Sequence, residues 1–239
     1  MAPSATIPAT RKTQADTSMG DGQTTAANGV AEATLAVHEL QCRRGERVLF
    51  APTSFVVAPG EIVWIRGANG QGKTTLLRTL AGLSAPCSGT LLWAGAPALA
   101  PRPLYLAHAN ALKEDLTVGE SLRFLLHLGG QAVESVHVDA GLERFGLASR
   151  REAFVRTLSQ GQRRRVALAR LAAERGLQPW LLDEPFDALD AAGVAVLAEV
   201  IANHAKRGGS VVLTSHLPVP IESPKPFEVH LHEPADAFA

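Results

Sequence analysis

The sequence predicts an α/β fold: a parallel-sheet core, an antiparallel β part ahead of it, and a helical subdomain inserted into it. Three observations predict this. A glycine-rich stretch, Gly67 to Gly72, lies between a short apolar run and an apolar pattern of helical period. From about Thr117 to Leu158 the texture changes from short strands to helices. Short apolar runs then return at Trp180-Leu181-Leu182 and Val211-Val212-Leu213, as parallel strands buried on both faces require.

Composition sets the limits. The chain has 239 residues, 46% hydrophobic and 19% charged, enough to bury a sizeable core. Lys+Arg and Asp+Glu both number 23, a balance that points away from a nucleic acid partner. The two cysteines, Cys42 and Cys87, lack C-x-x-C spacing, which argues against a disulfide framework or a structural zinc site. No apolar run reaches the ~18 residues of a spanning helix, so no direct membrane span is expected. Residues 1–33 are rich in Ala, Thr, Ser and Gly and too poor in large apolar residues to offset the entropy of ordering. They are expected to form a disordered leader, with Met19 a candidate alternative start; residues 34–239 form the folded part.

Leu35 to Leu40 alternates like a half-buried strand, and Val48-Leu49-Phe50 and Ser54 to Val57 predict two more. Pro59-Gly60 marks a turn before the strand Ile62-Val63-Trp64-Ile65. Next comes Gly67-Ala68-Asn69-Gly70-Gln71-Gly72-Lys73-Thr74, which fits G-x-x-x-x-G-K-[ST]. Gly70 and Gly72, lacking Cβ atoms, let phosphate oxygens approach the backbone closely. Loop N–H groups and the N-terminus of the following helix, Thr75 onward, donate to those oxygens. Lys73 is placed to reach the β- and γ-phosphates, and the Thr74 hydroxyl to ligate Mg²⁺. Gly82 is expected to cap the helix. Thr90 to Trp93, ended by Gly95 and Pro97, and Leu104 to Ala107, after Pro101-Arg102-Pro103, predict further strands.

Thr117-Val118-Gly119-Glu120 has capping-box spacing ahead of the apolar run Leu122 to Leu128. Val138 to Phe145 and Glu152 to Leu158 fit more helical turns, which makes about 110–160 the inserted subdomain. A helix over Ala191 to Lys206, closed by Gly208-Gly209, and a last strand at Phe227 to Leu231 complete the chain.

Two more motifs carry chemistry. Trp180-Leu181-Leu182-Asp183-Glu184 is an apolar strand ending in two acids, where ligands of parallel sheets bind. Asp183 is placed to hold Mg²⁺, and Glu184 to polarise a water. Leu158-Ser159-Gln160-Gly161-Gln162 contains the S-x-x-Q capping box of a helix start. Gly161 just inside that helix costs stability, so a close approach to something is expected there. Arg163-Arg164-Arg165 is read as a solvated helical face.

The loop, the L-S-x-G-Q stretch and the Leu-Asp-Glu strand end stand in an order that resembles the ATP-binding cassette of ABC proteins, from about Leu35 to the C-terminus. The resemblance implies a P-loop NTPase core of ABC ATPase type, with ATP and Mg²⁺ as cofactors. It implies that Ala188-Leu189-Asp190 is the D-loop and that His216 is the switch histidine. It also implies a second copy of the chain, so that Ser159, Gly161 and Gln162 contact ATP in trans. Cys42 to Phe50, Leu104 to Lys113 and Leu182 to Asp190 resemble more closely the ATP-binding subunit of the bacterial cytochrome c maturation haem exporter. That implies integral membrane subunits as partners and a peripheral place on the cytoplasmic face of the inner membrane. An ABC ATPase subunit for another substrate, or a soluble ABC protein, are the competing readings.

Two positions depart from the general cassette pattern. The usual adenine-stacking aromatic falls at Arg44, whose guanidinium plane can also stack on a base. The usual Q-loop glutamine falls at His108, whose neutral imidazole offers one acceptor nitrogen toward Mg²⁺ or its water.

Overall fold

The computed structural model of the chain describes residues 34–93, 96–97, 103–129 and 134–234. The expected leader with Met19, Gly95 and Pro101-Arg102 lie outside the described residues. In chain order the elements are β1 (Leu35–Gln41), β2 (Arg43–Arg44), β3 (Arg47–Val48), β4 (Thr53–Val57), β5 (Ile62–Arg66), α1 (Lys73–Leu80), β6 (Ser88–Trp93), β7 (Ala96–Pro97) and β8 (Leu104–Leu106). Then follow α2 (Val118–Leu128), α3 (Ser135–Arg144), α4 (Gln160–Ala173), β9 (Trp180–Leu182), α5 (Ala191–Lys206), β10 (Val211–Thr214) and β11 (Phe227–His230). They pack as two compact units. The first holds the described residues of Met1–Pro59, Gly67–Arg102 and Leu231–Ala239; the second holds those of Gly60–Arg66 and Pro103–His230.

The first unit is built on an antiparallel sheet of order β4-β1-β6-β7. Its buried side chains include Leu35, Val37, Phe55, Val57 and Trp93 from the sheet and Leu76, Leu77 and Leu80 from α1. Trp93 donates its indole N–H to Leu80 O at 3.1 Å, which ties sheet to helix. The helix stops as its sequence requires. Ala81 is the cap and Gly82 follows at φ +73°. The N–H groups of Gly82 and Leu83 return to Thr79 O and Arg78 O, so two end carbonyls are satisfied.

One strand expectation is corrected here. Of the predicted strand Val48-Leu49-Phe50 only Val48 pairs, opposite Arg43, in a short ribbon of Arg47–Val48 against Arg43–Arg44. Leu49 and Phe50 leave the ribbon and are 5% and 0% exposed. They pack onto the glycine-rich loop, and that burial outweighs extending a two-stranded ribbon with no apolar face of its own.

The second unit carries a five-stranded sheet of order β11-β5-β10-β9-β8, parallel at every pairing. Its central strands are buried along their length, which explains the continuous apolar runs. The C-terminal ends of β9 and β10 lie side by side, since Leu213 pairs with Leu182. Asp183 and Ser215 therefore emerge at the same edge.

α2 starts with both halves of the capping box: Thr117 Oγ1 accepts from Glu120 N, and Glu120 Oε2 accepts from Thr117 N at 2.8 Å. The Thr117 backbone N–H, and then the Thr117 hydroxyl, hold the Glu120 carboxyl below its usual range. The helical turns expected over Glu152 to Leu158 shrink to a 3-10 turn at Val155–Thr157. The backbone ahead of it is committed elsewhere: Ala153 O and Arg151 O accept from Val118 N and Gly119 N, so this segment caps α2 instead of coiling on itself. Among the described residues no helix is long and apolar enough to cross a membrane.

His204 on α5 is fully buried and stacks on Trp180, ring centroids 3.7 Å apart and planes within 5°. Burial first, then the charge of Arg207, pushes its pKa from 6.5 down to about 4. An unfolded chain takes up that proton near 6.5 while the folded one waits until about 4. Stability is therefore fully present above that window and declines as pH falls through it, by about 3 kcal/mol for this group. The unfolding free energy of His204→Phe, measured against pH by denaturant titration, should fall less steeply over that interval than the wild type. Parallel curves would remove His204 as the cause.

Candidate functional site

In the first unit the glycine-rich loop wraps around the amino end of α1. Gly70 and Gly72 adopt φ +79° and +96°, in the left-handed region. At Gly72 a Cβ would also stand 2.8 Å from Leu49 Cβ and 3.1 Å from Phe50 Cδ1, so glycine is required twice over. The helix that follows has no side-chain cap and no acid in its first turn, an arrangement open to an anion. Lys73 is 7% exposed. Its ammonium folds back across the loop and donates to Gly67 O at 2.8 Å and Ala68 O at 3.3 Å. Gln71 fastens the loop: Oε1 accepts from Ala68 N at 2.6 Å, and Nε2 donates to Leu231 O at 2.9 Å. Asn69 and Thr74 are exposed and Thr75 is half-buried. Arg44 lies exposed on β2, opposite Arg47, in the ribbon that leads into Leu49 and Phe50.

In the second unit the acids after β9 are buried, Asp183 to 1% and Glu184 to 7% exposure. Thr214 Oγ1, at the end of β10, donates to Asp183 Oδ1 at 3.0 Å and accepts from Glu184 N at 2.8 Å. Glu184 Oε2 accepts from His216 N at 3.0 Å, and Oε1 lies 3.2 Å from His216 Nε2. The structure thus brings Asp183, Glu184 and His216 together through adjacent strand ends. His108 sits on the loop after β8 with its side chain 70% exposed, Nδ1 3.6 Å from Asp187 Oδ2.

Ser159 caps α4 in a full capping box: Ser159 Oγ accepts from Gln162 N at 3.2 Å, and Gln162 Oε1 accepts from Ser159 N at 3.0 Å. A Cβ on Gly161 would meet Ala188 O at 3.2 Å, so the expected close approach is to the segment leading to Asp190. Arg165 Nη2 grips both Asp190 oxygens, at 2.6 and 2.7 Å. Asp190 also caps α5 by accepting from Gly193 N at 2.9 Å. The Gly193 N–H and then Arg165 hold its carboxyl below the usual range.

Residues 50–187 match the family model described as ABC transporter. The chain belongs to the ABC transporter family. Within it, this ABC chain is 46% identical over 194 residues to the cytochrome c biogenesis ATP-binding export protein CcmA of Albidiferax ferrireducens, covering 79% of this chain and 92% of that protein. It is 42% identical over 207 residues to the protein of the same name from Vibrio cholerae, covering 84% and 99%. Among solved structures, one titled as the ATP binding subunit of an ABC transporter superposes with a TM-score of 0.72 at 26% identity, covering 83% of this chain and 86% of that one. ATP binding follows from the family, and the α/β fold expected from the sequence is the fold of these neighbours.

Two parts of the ABC site were missed by sequence reasoning. Thr214 ends an apolar strand, and nothing in Val211 to Thr214 distinguishes a hydroxyl that bridges two acids. Arg163-Arg164-Arg165 is not one solvated face. Arg163 pairs with Glu114 at 2.9 Å and Arg165 with Asp190, both partly exposed. Arg164 between them is 2% exposed. Successive helical residues point about 100° apart, so three arginines in a row cannot share one surroundings. The signal available was the apolar pattern of Val166, Ala167, Leu168 and Ala169, all buried, whose face the preceding turn extends.

Proposed function

We propose that this chain is the ATP-hydrolysing subunit of a membrane exporter that moves haem for cytochrome c biogenesis. The observation that carries the catalytic reading is the network in which exposed His216 meets buried Glu184, itself linked through Thr214 to buried Asp183, at two adjacent strand ends. The exporter reading is supported by relatives whose printed name is an ATP-binding export protein of cytochrome c biogenesis. The partners are integral membrane subunits and a second copy of the chain, at the cytoplasmic face of the inner membrane.

Residue roles follow from donor chemistry. Gly67, Ala68, Asn69, Gly70, Gln71 and Gly72 present loop N–H groups to the ATP phosphates, with Thr75 at the start of α1. The Lys73 ammonium exchanges its two carbonyl partners for β- and γ-phosphate oxygens. The Thr74 hydroxyl and Asp183 carboxylate are hard oxygen donors of the sort Mg²⁺ takes alongside phosphates and water. Held by donors of this kind, Mg²⁺ would neutralise charge on the phosphates. Glu184 accepts the proton of the attacking water, and His216 orients Glu184 from the neighbouring strand end. Arg44 stacks on the adenine, and His108 takes the position of the Q-loop glutamine. Ser159, Gly161 and Gln162 meet ATP on the second copy, and Asp190 lies beside them.

Cells lacking this chain should lose haem-loaded c-type cytochromes while retaining haem proteins that mature in the cytoplasm. The chain should co-purify from detergent-solubilised membranes with integral subunits. Normal c-type cytochromes in the deletion strain would reject the cargo assignment. Because the signature residues act in trans, specific ATPase activity of the isolated chain should rise with its concentration. A constant value down to dilutions where light scattering finds only monomer would sink the two-copy mechanism.

A further inference from the structure

We propose that Arg164 is a positioning residue for Glu184, holding from inside α4 both the loop after β8 and the turn that carries the acid. The proposal rests on the reading of Glu184 as the base for hydrolysis. One guanidinium plane serves both segments. Nη1 donates to Ala107 O at 3.2 Å, His108 O at 3.3 Å and Asn110 Oδ1 at 3.1 Å. Nη2 donates to Glu184 O at 2.7 Å and Asp183 O at 3.4 Å. A rigid planar fork can span two chain segments in fixed geometry; a lysine ammonium, a single point of charge, cannot.

All five acceptors are neutral oxygens. Arg164 therefore grips the backbone of Glu184 and leaves its carboxylate to His216. An arginine fork on the carboxylate itself would favour the charged form and weaken it as a proton acceptor. The grip is needed because Glu184 stands at φ +46°, a conformation a side-chain-bearing residue holds only when its surroundings enforce it. Thr214 Oγ1 fixes its N–H, His216 N fixes its carboxylate, and Arg164 fixes its carbonyl. Burial lowers the Arg164 pKa, and the charges of Asp187, Asp183 and Glu184 oppose that shift. An arginine stays protonated throughout.

The test compares Arg164→Lys, Arg164→Gln and Asn110→Ala with wild type, using full-length chain at a concentration where wild type turns over. Both Arg164 variants should bind a fluorescent ATP analogue within about twofold of wild type while kcat falls by about ten- to a hundredfold. Lysine should recover the melting temperature better than glutamine without recovering kcat. Asn110→Ala removes one acceptor and leaves Nη1 its two carbonyl partners, Ala107 O and His108 O, and should give a smaller fall in kcat at unchanged KM. A folded Arg164→Lys with wild-type kcat overturns the proposal. So does a loss confined to melting temperature and affinity, the mark of a purely structural arginine. If neither Arg164 variant folds, Asn110→Ala decides, and an unchanged kcat overturns the proposal. A wild type that hydrolyses no ATP overturns the ATPase reading and this inference with it; turnover in wild type and variants alike overturns this inference alone.

Discussion

Glu184→Gln should bind ATP as wild type does and lose about a hundredfold or more of its turnover. The amide has nearly the shape of the carboxylate. Its carbonyl oxygen can still accept from His216 N, now 3.0 Å from Glu184 Oε2, so the buried turn survives. What is lost is the ability to accept the proton of the attacking water. With hydrolysis blocked and binding intact, the ATP-bound two-copy state should accumulate, visible as a shift in light-scattering mass on adding ATP and Mg²⁺. A kcat within about threefold of wild type would place the proton acceptor elsewhere.

Lys73→Ala should weaken ATP binding by about ten- to a hundredfold, the loss of a charge-assisted hydrogen-bond donor at a buried position. The rest of the phosphate cradle, built from glycine φ angles and the α1 terminus, does not depend on that side chain. The damage should therefore fall more on ATP than on AMP, which lacks the β- and γ-phosphates. Calorimetric titration with both nucleotides separates the cases, and equal losses for the two would reject the assigned contact. Fold stability should change little by comparison, since Gly67 O and Ala68 O lose only a donor that ATP itself would withdraw.

By itself the sequence determined the elements whose cause is local. The loop was legible because positive φ at Gly70 and Gly72 leaves few residue choices. α2 and α4 were legible because a capping box is a bond between residues three apart, and both boxes form. The buried strands were legible because a parallel sheet covered on both faces allows only apolar runs. Asp183 and Glu184 stood out because acids directly after such a run must sit at its end. Tertiary structure alone decided what depends on segments distant in the chain. Leu49 and Phe50 left their strand to pack on Gly72. The backbone at 151–153 gave its helix to cap α2. Thr214 acquired its role because β10 lies next to β9, a pairing no local pattern encodes. Arg164 looked like its two neighbours until the fold buried it against five oxygens from two strand-end loops. A charged side chain's place inside or outside is set by partners that only the folded chain supplies, and a buried cation is tolerated only where those partners converge.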